Sequence, residues 1–151
     1  MRYFEDFPPG WSLDYGDRLV TKDEIIAFAR RFDPQPMHLD EEAAKHTLLG
    51  GLAASGLHTN SILMRLNVDH ILHDSASLGS PGIREFRWLK PVRPGDRLSA
   101  RATVIEARPS QSRPEMGLVT MRFEMRRQDG DLVLTMEGTL MLGRRPAQEA
   151  A

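Results

Sequence analysis

The sequence predicts an α+β domain in which an antiparallel β-sheet wraps around one long central α-helix. Three observations predict it. Leu57 to Leu72 is a long, mostly apolar stretch with helical spacing, carrying Ile62, Leu63, Leu66, Val68 and Ile71. After Gly82 the apolar period changes from helical to two, the period of a strand with one buried face. The strand segments are then punctuated by turn signals, Pro94-Gly95-Asp96 and Asp129-Gly130, the second a strong hairpin signal. A helix with an apolar surface and a sheet with an apolar face bury each other most simply when the sheet curls round the helix.

The elements follow in chain order. The first 20 residues hold Pro8, Pro9, Gly10 and Gly16 and read as strand and turn. Thr21 caps a helix, and Glu24 three residues on completes a capping box. Ile25, Ile26, Ala29 and Phe32 give that helix its apolar face. Asp33-Pro34 ends it, because proline drives its predecessor out of the α region. Pro34-Gln35-Pro36 is extended or turning, Asp40 caps a short helix over Glu41 to His46, and Gly50-Gly51 breaks the chain. The long helix from Leu57 to Leu72 spans about 24 Å at 1.5 Å per residue.

Phe86 and Trp88 share one face of the next strand, which ends near Pro91. Leu98, Ala100, Ala102 and Val104 form the apolar face of another, and Val119, Met121, Phe123 and Met125 that of a third. Leu132, Leu134, Met136, Leu140 and Leu142 form the last. The methionines, Met64 and Met116 to Met141, read as core fillers. The N-terminal segment adds a further strand, and the open edges of such a sheet invite pairing between subunits. Residues 1–145 read as one domain and 146–151 as a flexible C-terminal tail.

Composition narrows the function. The chain has 151 residues, of which 40% are hydrophobic and 27% charged, an ordinary balance for one globular domain. Net charge is -1, from 20 basic and 21 acidic residues, so the balance gives no footprint for nucleic acid. There is no cysteine, which removes disulfides, thiolate nucleophiles and thiolate metal ligands and suits a cytoplasmic location. No apolar run approaches the roughly 20 residues of a membrane span, and Met1 to Tyr15 lacks the apolar core of a signal peptide.

Two stretches carry chemistry. In Asp33-Pro34-Gln35-Pro36-Met37-His38 a carboxylate and an imidazole stand five residues apart on a segment stiffened by two prolines. Such a pair can hold one water and move its proton. By themselves the same residues also suit a turn capped by Asp33, with His38 incidental. In Gly50 to Leu57, small residues open the long helix, where free amides can stabilise an oxyanion and a ligand can approach the backbone. By themselves these glycines also suit a simple break between two helices. His46, His58, His70 and His73 lack a metal-ligand spacing, and His70 and His73 suit a solvated helix end. Arg84, Arg87, Lys90 and Arg93 suit either a phosphate-binding group or a solvated strand face. Asn60 and Ser61 stand near the start of the helix, where they can line a pocket.

Together these stretches resemble the MaoC-like acyl dehydratase / R-specific enoyl-CoA hydratase family, whose motif Asp-x-Asn-Pro-x-His precedes a glycine that begins the helix of a hot-dog fold. The match runs through Asp33, Pro36, His38 and Gly56, and the segment Trp88-Leu89-Lys90-Pro91-Val92-Arg93-Pro94-Gly95-Asp96 resembles the family's Pro-Val-x-x-Gly-Asp turn. The resemblance covers about residues 4 to 143. It implies a hot-dog fold and reversible addition of water to a trans-2-enoyl-CoA, giving the (R)-3-hydroxyacyl-CoA. It implies Asp33, His38 and the Gly56 amide as catalytic groups, with Gln35, Ser55 and Leu57 at the substrate. It implies no metal and no cofactor beyond the coenzyme A of the substrate, which would lie across the interface of a homodimer. Gln35 stands where the family most often has Asn, a longer arm with the same donors and acceptor. The rival readings on the same fold are an acyl-CoA thioesterase and a non-catalytic acyl-CoA-binding subunit.

Overall fold

The computed structural model describes residues 1–147. After a single 3-10 turn at Phe4–Asp6, strand β1 runs over Ser12–Leu19 and helix α1 over Lys22–Phe32. Thr21 caps α1, its side chain accepting from the Glu24 amide while Glu24 reaches back to the Thr21 amide. Two one-turn helices follow, α2 at Pro36–Leu39 and α3 at Glu41–Ala44. Proline at the first position of α2 costs no hydrogen bond, since that amide has no intrahelical acceptor anyway. The segment expected to be extended or turning therefore becomes helical at Pro36. The Asp40 side chain accepts from the Ala43 amide and starts α3, which ends at Ala44, two residues short of the expected His46.

The central helix is α4 at Gly56–Asn67, continued by a π-helical turn at Val68–Leu72. Strands β2 (Ser77–Trp88), β3 (Arg97–Pro109), β4 (Met116–Arg126) and β5 (Leu132–Gly143) complete one antiparallel sheet in the order β1-β3-β4-β5-β2. The α+β architecture and its five strands agree with the expectation. Strand β2 begins at Ser77 rather than after Gly82. Three register shifts within its pairing to β5 absorb Gly79, Pro81 and Gly82, which a regular strand would not hold.

Ile62, Leu63 and Leu66 of α4 join Leu98, Val104, Met121, Phe123, Met125 and Leu134 of the sheet in one apolar cluster. The expected alternation on β3 holds, with Leu98, Ala100, Ala102 and Val104 all buried. Strand β1 comes down onto the helix at Gly16. There φ is +84°, and an added Cβ would lie 2.9 Å from a methyl of Leu66, so the close approach requires glycine.

The burial of α4 is one-sided. Leu57, Met64 and Val68 are exposed, and all of β2 is exposed except Phe86, which is half-buried. Met64 is thus not a core filler, contrary to the reading of the methionines. Residues 146–147 run without regular structure, and the remainder of the expected tail, 148–151, lies outside the described residues. Among the described residues no helix is long and apolar enough to cross a membrane.

Candidate active site

The N-terminus of α4 faces the α1–α2 connection, and this junction gathers the residues singled out in the sequence. Asp33 is the C-cap of α1, and its amide still bonds to the Ala29 carbonyl. One helical turn later, α2 places His38 back against the strand-like segment that leads into α4. The Ala53 peptide is held at both ends by α2: its amide donates to the Met37 carbonyl, and its carbonyl accepts from His38 Nδ1 at 2.7 Å. The Ala54 amide donates to the Val92 carbonyl. Backbone pairing therefore fixes the approach to Gly56 from two sides.

Arg93 secures the same loop. Its guanidinium donates to the carbonyls of Gly51, at 2.7 Å, and of Leu49. This corrects one of the two readings of Arg93, since its donors point at the backbone rather than at a phosphate site. The Pro94-Gly95-Asp96 turn is closed by Asp96, whose buried carboxylate accepts from the Arg93 amide at 2.7 Å and from Gln128 at 3.0 Å. Lys90 pairs with Asp131, Arg87 with Glu85, and Arg84 lies 3.7 Å from Glu137.

His38 Nε2 and Asp33 Oδ2 face each other at 3.4 Å. His38 is buried, and Asp33 is half-buried. A carbonyl oxygen only accepts, so the bond to Ala53 assigns the ring proton to Nδ1 and leaves the lone pair of the neutral imidazole on Nε2. Asp33 is held as firmly. The Ser55 hydroxyl donates to Oδ2 at 2.7 Å and the Gln35 amide to Oδ1 at 2.6 Å. These hydrogen bonds, Ser55 first and Gln35 second, hold the Asp33 carboxyl below the ordinary carboxylate value despite its partial burial; the charge that His38 carries when protonated contributes less. Two acceptors then face one gap, and a water donating one hydrogen to each would be oriented and ready to lose one to Nε2.

Both side chains open onto a cleft of about 440 Å³. Its wall includes Ser55, Gly56, Leu57, Trp88 and Lys90. Gly56 is the first residue of α4, so its N–H has no acceptor one turn back. The polar atoms of Gln35 and Ser55 bond to the carboxylate, while Leu57, half-exposed, lines the cleft. Ser61 bonds back to the Leu57 carbonyl and stands exposed.

Two residues of the site escaped the sequence reading or were left unoriented by it. Trp88 covers Gly56, its indole N–H donating to the Gly56 carbonyl and to Asn60 Oδ1, both at 2.9 Å. Its sequence signals were a strand face shared with Phe86 and a place at the head of the segment that holds the Pro-Val-x-x-Gly-Asp turn, and neither oriented the ring. A Cβ at residue 56 would meet the indole at 2.5 Å, so glycine at this position admits the ring. Among the described residues, no three or more of the His, Asp and Glu side chains are grouped to hold a metal ion. His58 is buried instead against α1, stacked on Phe28 with ring centroids 4.8 Å apart.

Comparison with known proteins supplies the family and the fold. The family model described as "MaoC like domain" matches residues 6–123. The crystal structure of a MaoC-like dehydratase from Rhodospirillum rubrum is 41% identical and superposes with a TM-score of 0.87, covering 97% of this chain and 99% of that one. The uncharacterized protein YdeM of Bacillus subtilis is 33% identical over 102 residues, 68% of this chain and 71% of the relative. The R-hydratase PhaJ1 from Pseudomonas aeruginosa, at 21% identity, shares the fold with a TM-score of 0.76, covering 99% of this chain and 93% of that one.

Proposed function

The chain belongs to the MaoC-like domain family and has its hot-dog fold, and from that premise we propose that it is a hydro-lyase adding water reversibly to a trans-2-enoyl-CoA. The observation that carries the proposal is the Asp33–His38 pair, two acceptors 3.4 Å apart at the mouth of the central helix. The thioester carbonyl would accept from the Gly56 amide. As the water oxygen bonds to C3, the π electrons of the C2–C3 bond move onto the thioester oxygen and form an enolate. A fixed donor there binds the developing charge more strongly than the ground-state carbonyl. His38 Nε2 takes the proton from water, with Asp33 orienting the water and offsetting the positive charge on the ring. Return of a proton to C2 collapses the enolate and gives the 3-hydroxyacyl thioester, of R configuration by family resemblance. Dehydration follows the same steps in reverse.

The reaction so drawn uses only groups of the chain and the coenzyme A thioester of the substrate. The proposal extends to a homodimer acting in the cytoplasm. Leu57 and Met64 on α4, Val68 on the π-helical turn that continues it, and Leu78 and Ile83 on β2 form an exposed apolar flank beside an unpaired strand edge. A second copy joined edge to edge would cover it, and sedimentation at micromolar concentration tests it, a fully active monomer contradicting the dimer.

The reaction is tested with a panel of trans-2-enoyl-CoA esters, following loss of the conjugated-thioester absorbance and, in parallel, release of free thiol. Absorbance loss without thiol is the expected result. Thiol release from saturated acyl-CoA without hydration would replace the proposal with a thioesterase, and binding without either reaction with a non-catalytic acyl-CoA-binding subunit.

A further inference from the structure

We propose that Trp88 and Asn60 wall off the acyl end of the catalytic cleft and limit the substrate to short acyl chains; this rests on the hydratase reading of the same site.

Two spaces lie in line along α4. The first is the cleft of about 440 Å³ that holds Asp33, His38 and Gly56. The second is a cavity of about 570 Å³ between α4 and β2, lined largely by apolar side chains such as Met64, Ile83, Phe86, Met136 and Leu140. Gly56, Asn60 and Met64 are spaced by four and so share one face of the helix. Gly56 borders the first space and Met64 the second. Phe86 and Trp88 are two apart and share one face of β2. Trp88 borders the first space and Phe86 the second. The boundary therefore falls at Asn60 and Trp88.

Hydrogen bonds hold that boundary shut. The indole N–H is shared between the Gly56 carbonyl and Asn60 Oδ1 at 2.9 Å each. The other end of the Asn60 amide contacts Met136 Sδ at 3.8 Å, which ties helix to sheet across the gap. Phe86, which lines the second space, packs against the indole with ring centroids 5.1 Å apart. An acyl chain whose thioester sits at Gly56 and whose C3 faces Asp33 and His38 meets the indole after a few carbons. The apolar cavity that would take a longer tail lies behind it.

Trp88 is 49% exposed. Its replacement by a smaller side chain opens the wall without removing a core residue. Each buried methylene is worth roughly a four-fold gain in binding, so four more carbons reaching the cavity give a large signal.

The test measures binding of butanoyl-CoA and octanoyl-CoA by calorimetry, beside hydration of the four- and eight-carbon trans-2-enoyl esters. The proteins are the wild type, Trp88→Leu, Trp88→Phe and Asn60→Ala, each checked for an unchanged thermal midpoint. The wild type is expected to favour the four-carbon esters in both assays. Trp88→Leu should shift the octanoyl-to-butanoyl binding ratio by at least about ten-fold. Trp88→Phe, which keeps a ring but not the N–H, and Asn60→Ala should shift it in the same direction by less. A wild type that takes the eight-carbon ester as well as the four, or a folded Trp88→Leu with an unchanged ratio, overturns the proposal. A shifted binding ratio with no hydration of any ester supports the wall while rejecting the hydratase reading. Binding of neither ester rejects both.

Discussion

The two flanks of α4 differ in nearly every physical respect. On the flank facing β3, β4 and β5, Leu63 is fully buried and Ile62 and Leu66 nearly so, within one apolar cluster. On the flank facing β2, the same helix borders the cleft of Asp33 and His38 at its N-terminal end and an apolar cavity further along. The first flank is where burial stabilises the fold. The second is where space is kept for a ligand, with the strand beside it irregular and exposed. The difference teaches that stability and chemistry are divided between opposite faces of one helix, so substitutions on each face should separate the two properties.

The largest expected effects lie on the open flank. Asp33→Asn and His38→Ala should each slow hydration by about 10²–10⁴-fold, the usual range for a positioned acid or base. Since both act on one water, the double variant should be little slower than the poorer single. Steady-state kinetics with a four-carbon enoyl ester measure this, and wild-type rates in Asp33→Asn would end the assignment. The thermal midpoint of Asp33→Asn should stay close to that of the wild type, because the residue is only partly buried.

The closed flank should answer in stability instead. Leu63→Ala is expected to cost about 2–5 kcal/mol of unfolding free energy, the range for a large-to-small change in a packed core. Measured at dilutions where the chain is monomeric, Met64→Ala, one residue along and 52% exposed in the single chain, should cost no more than about 0.5 kcal/mol, as surface changes do. Urea unfolding of the two variants compares the flanks directly, and equal losses would break the division.

A smaller effect sharpens the electrostatic side. The Ser55 hydroxyl is the first cause of the low Asp33 pKa. Ser55→Ala should therefore let that pKa rise, and the acid limb of kcat/KM against pH should move to higher pH. A limb that stays in place would show that Asp33 is not the group being protonated.

The smallest effect concerns His58, which faces neither flank's ligand space. Its ring is buried on Phe28, and Nδ1 has no hydrogen-bond partner. Burial lowers its pKa from the ordinary 6.5, with Glu24 acting upward and Arg18 downward. The folded state then disfavours the charged ring. As pH falls below 6.5 the unfolded chain takes up the proton first, so stability declines until the folded ring also titrates. His58→Leu should flatten this decline in thermal midpoint between pH 7 and pH 5, and an unchanged slope would assign the acid sensitivity to other groups.

Local physics alone fixed much of this protein. Thr21 and Glu24 announce the start of α1 because a capping box needs only neighbouring atoms. The faces of β3 and β4 follow from alternation, because each is buried on a known side. The Asp33 and His38 pairing was legible because two prolines leave the intervening chain few conformations, and family resemblance supplied Gly56. The tertiary structure decided the rest. The exposure of β2 and Met64 depends on what stands across from them, which no local period encodes. The bonds of Gln35 and Ser55 to Asp33, and of Arg93 to the loop ahead of α4, are choices among partners that only folding brings within reach. Trp88 is the clearest case: its bonds to Gly56 and Asn60 join residues 32 and 28 positions away, and only the docking of β2 beside α4 puts the indole against a glycine small enough to admit it.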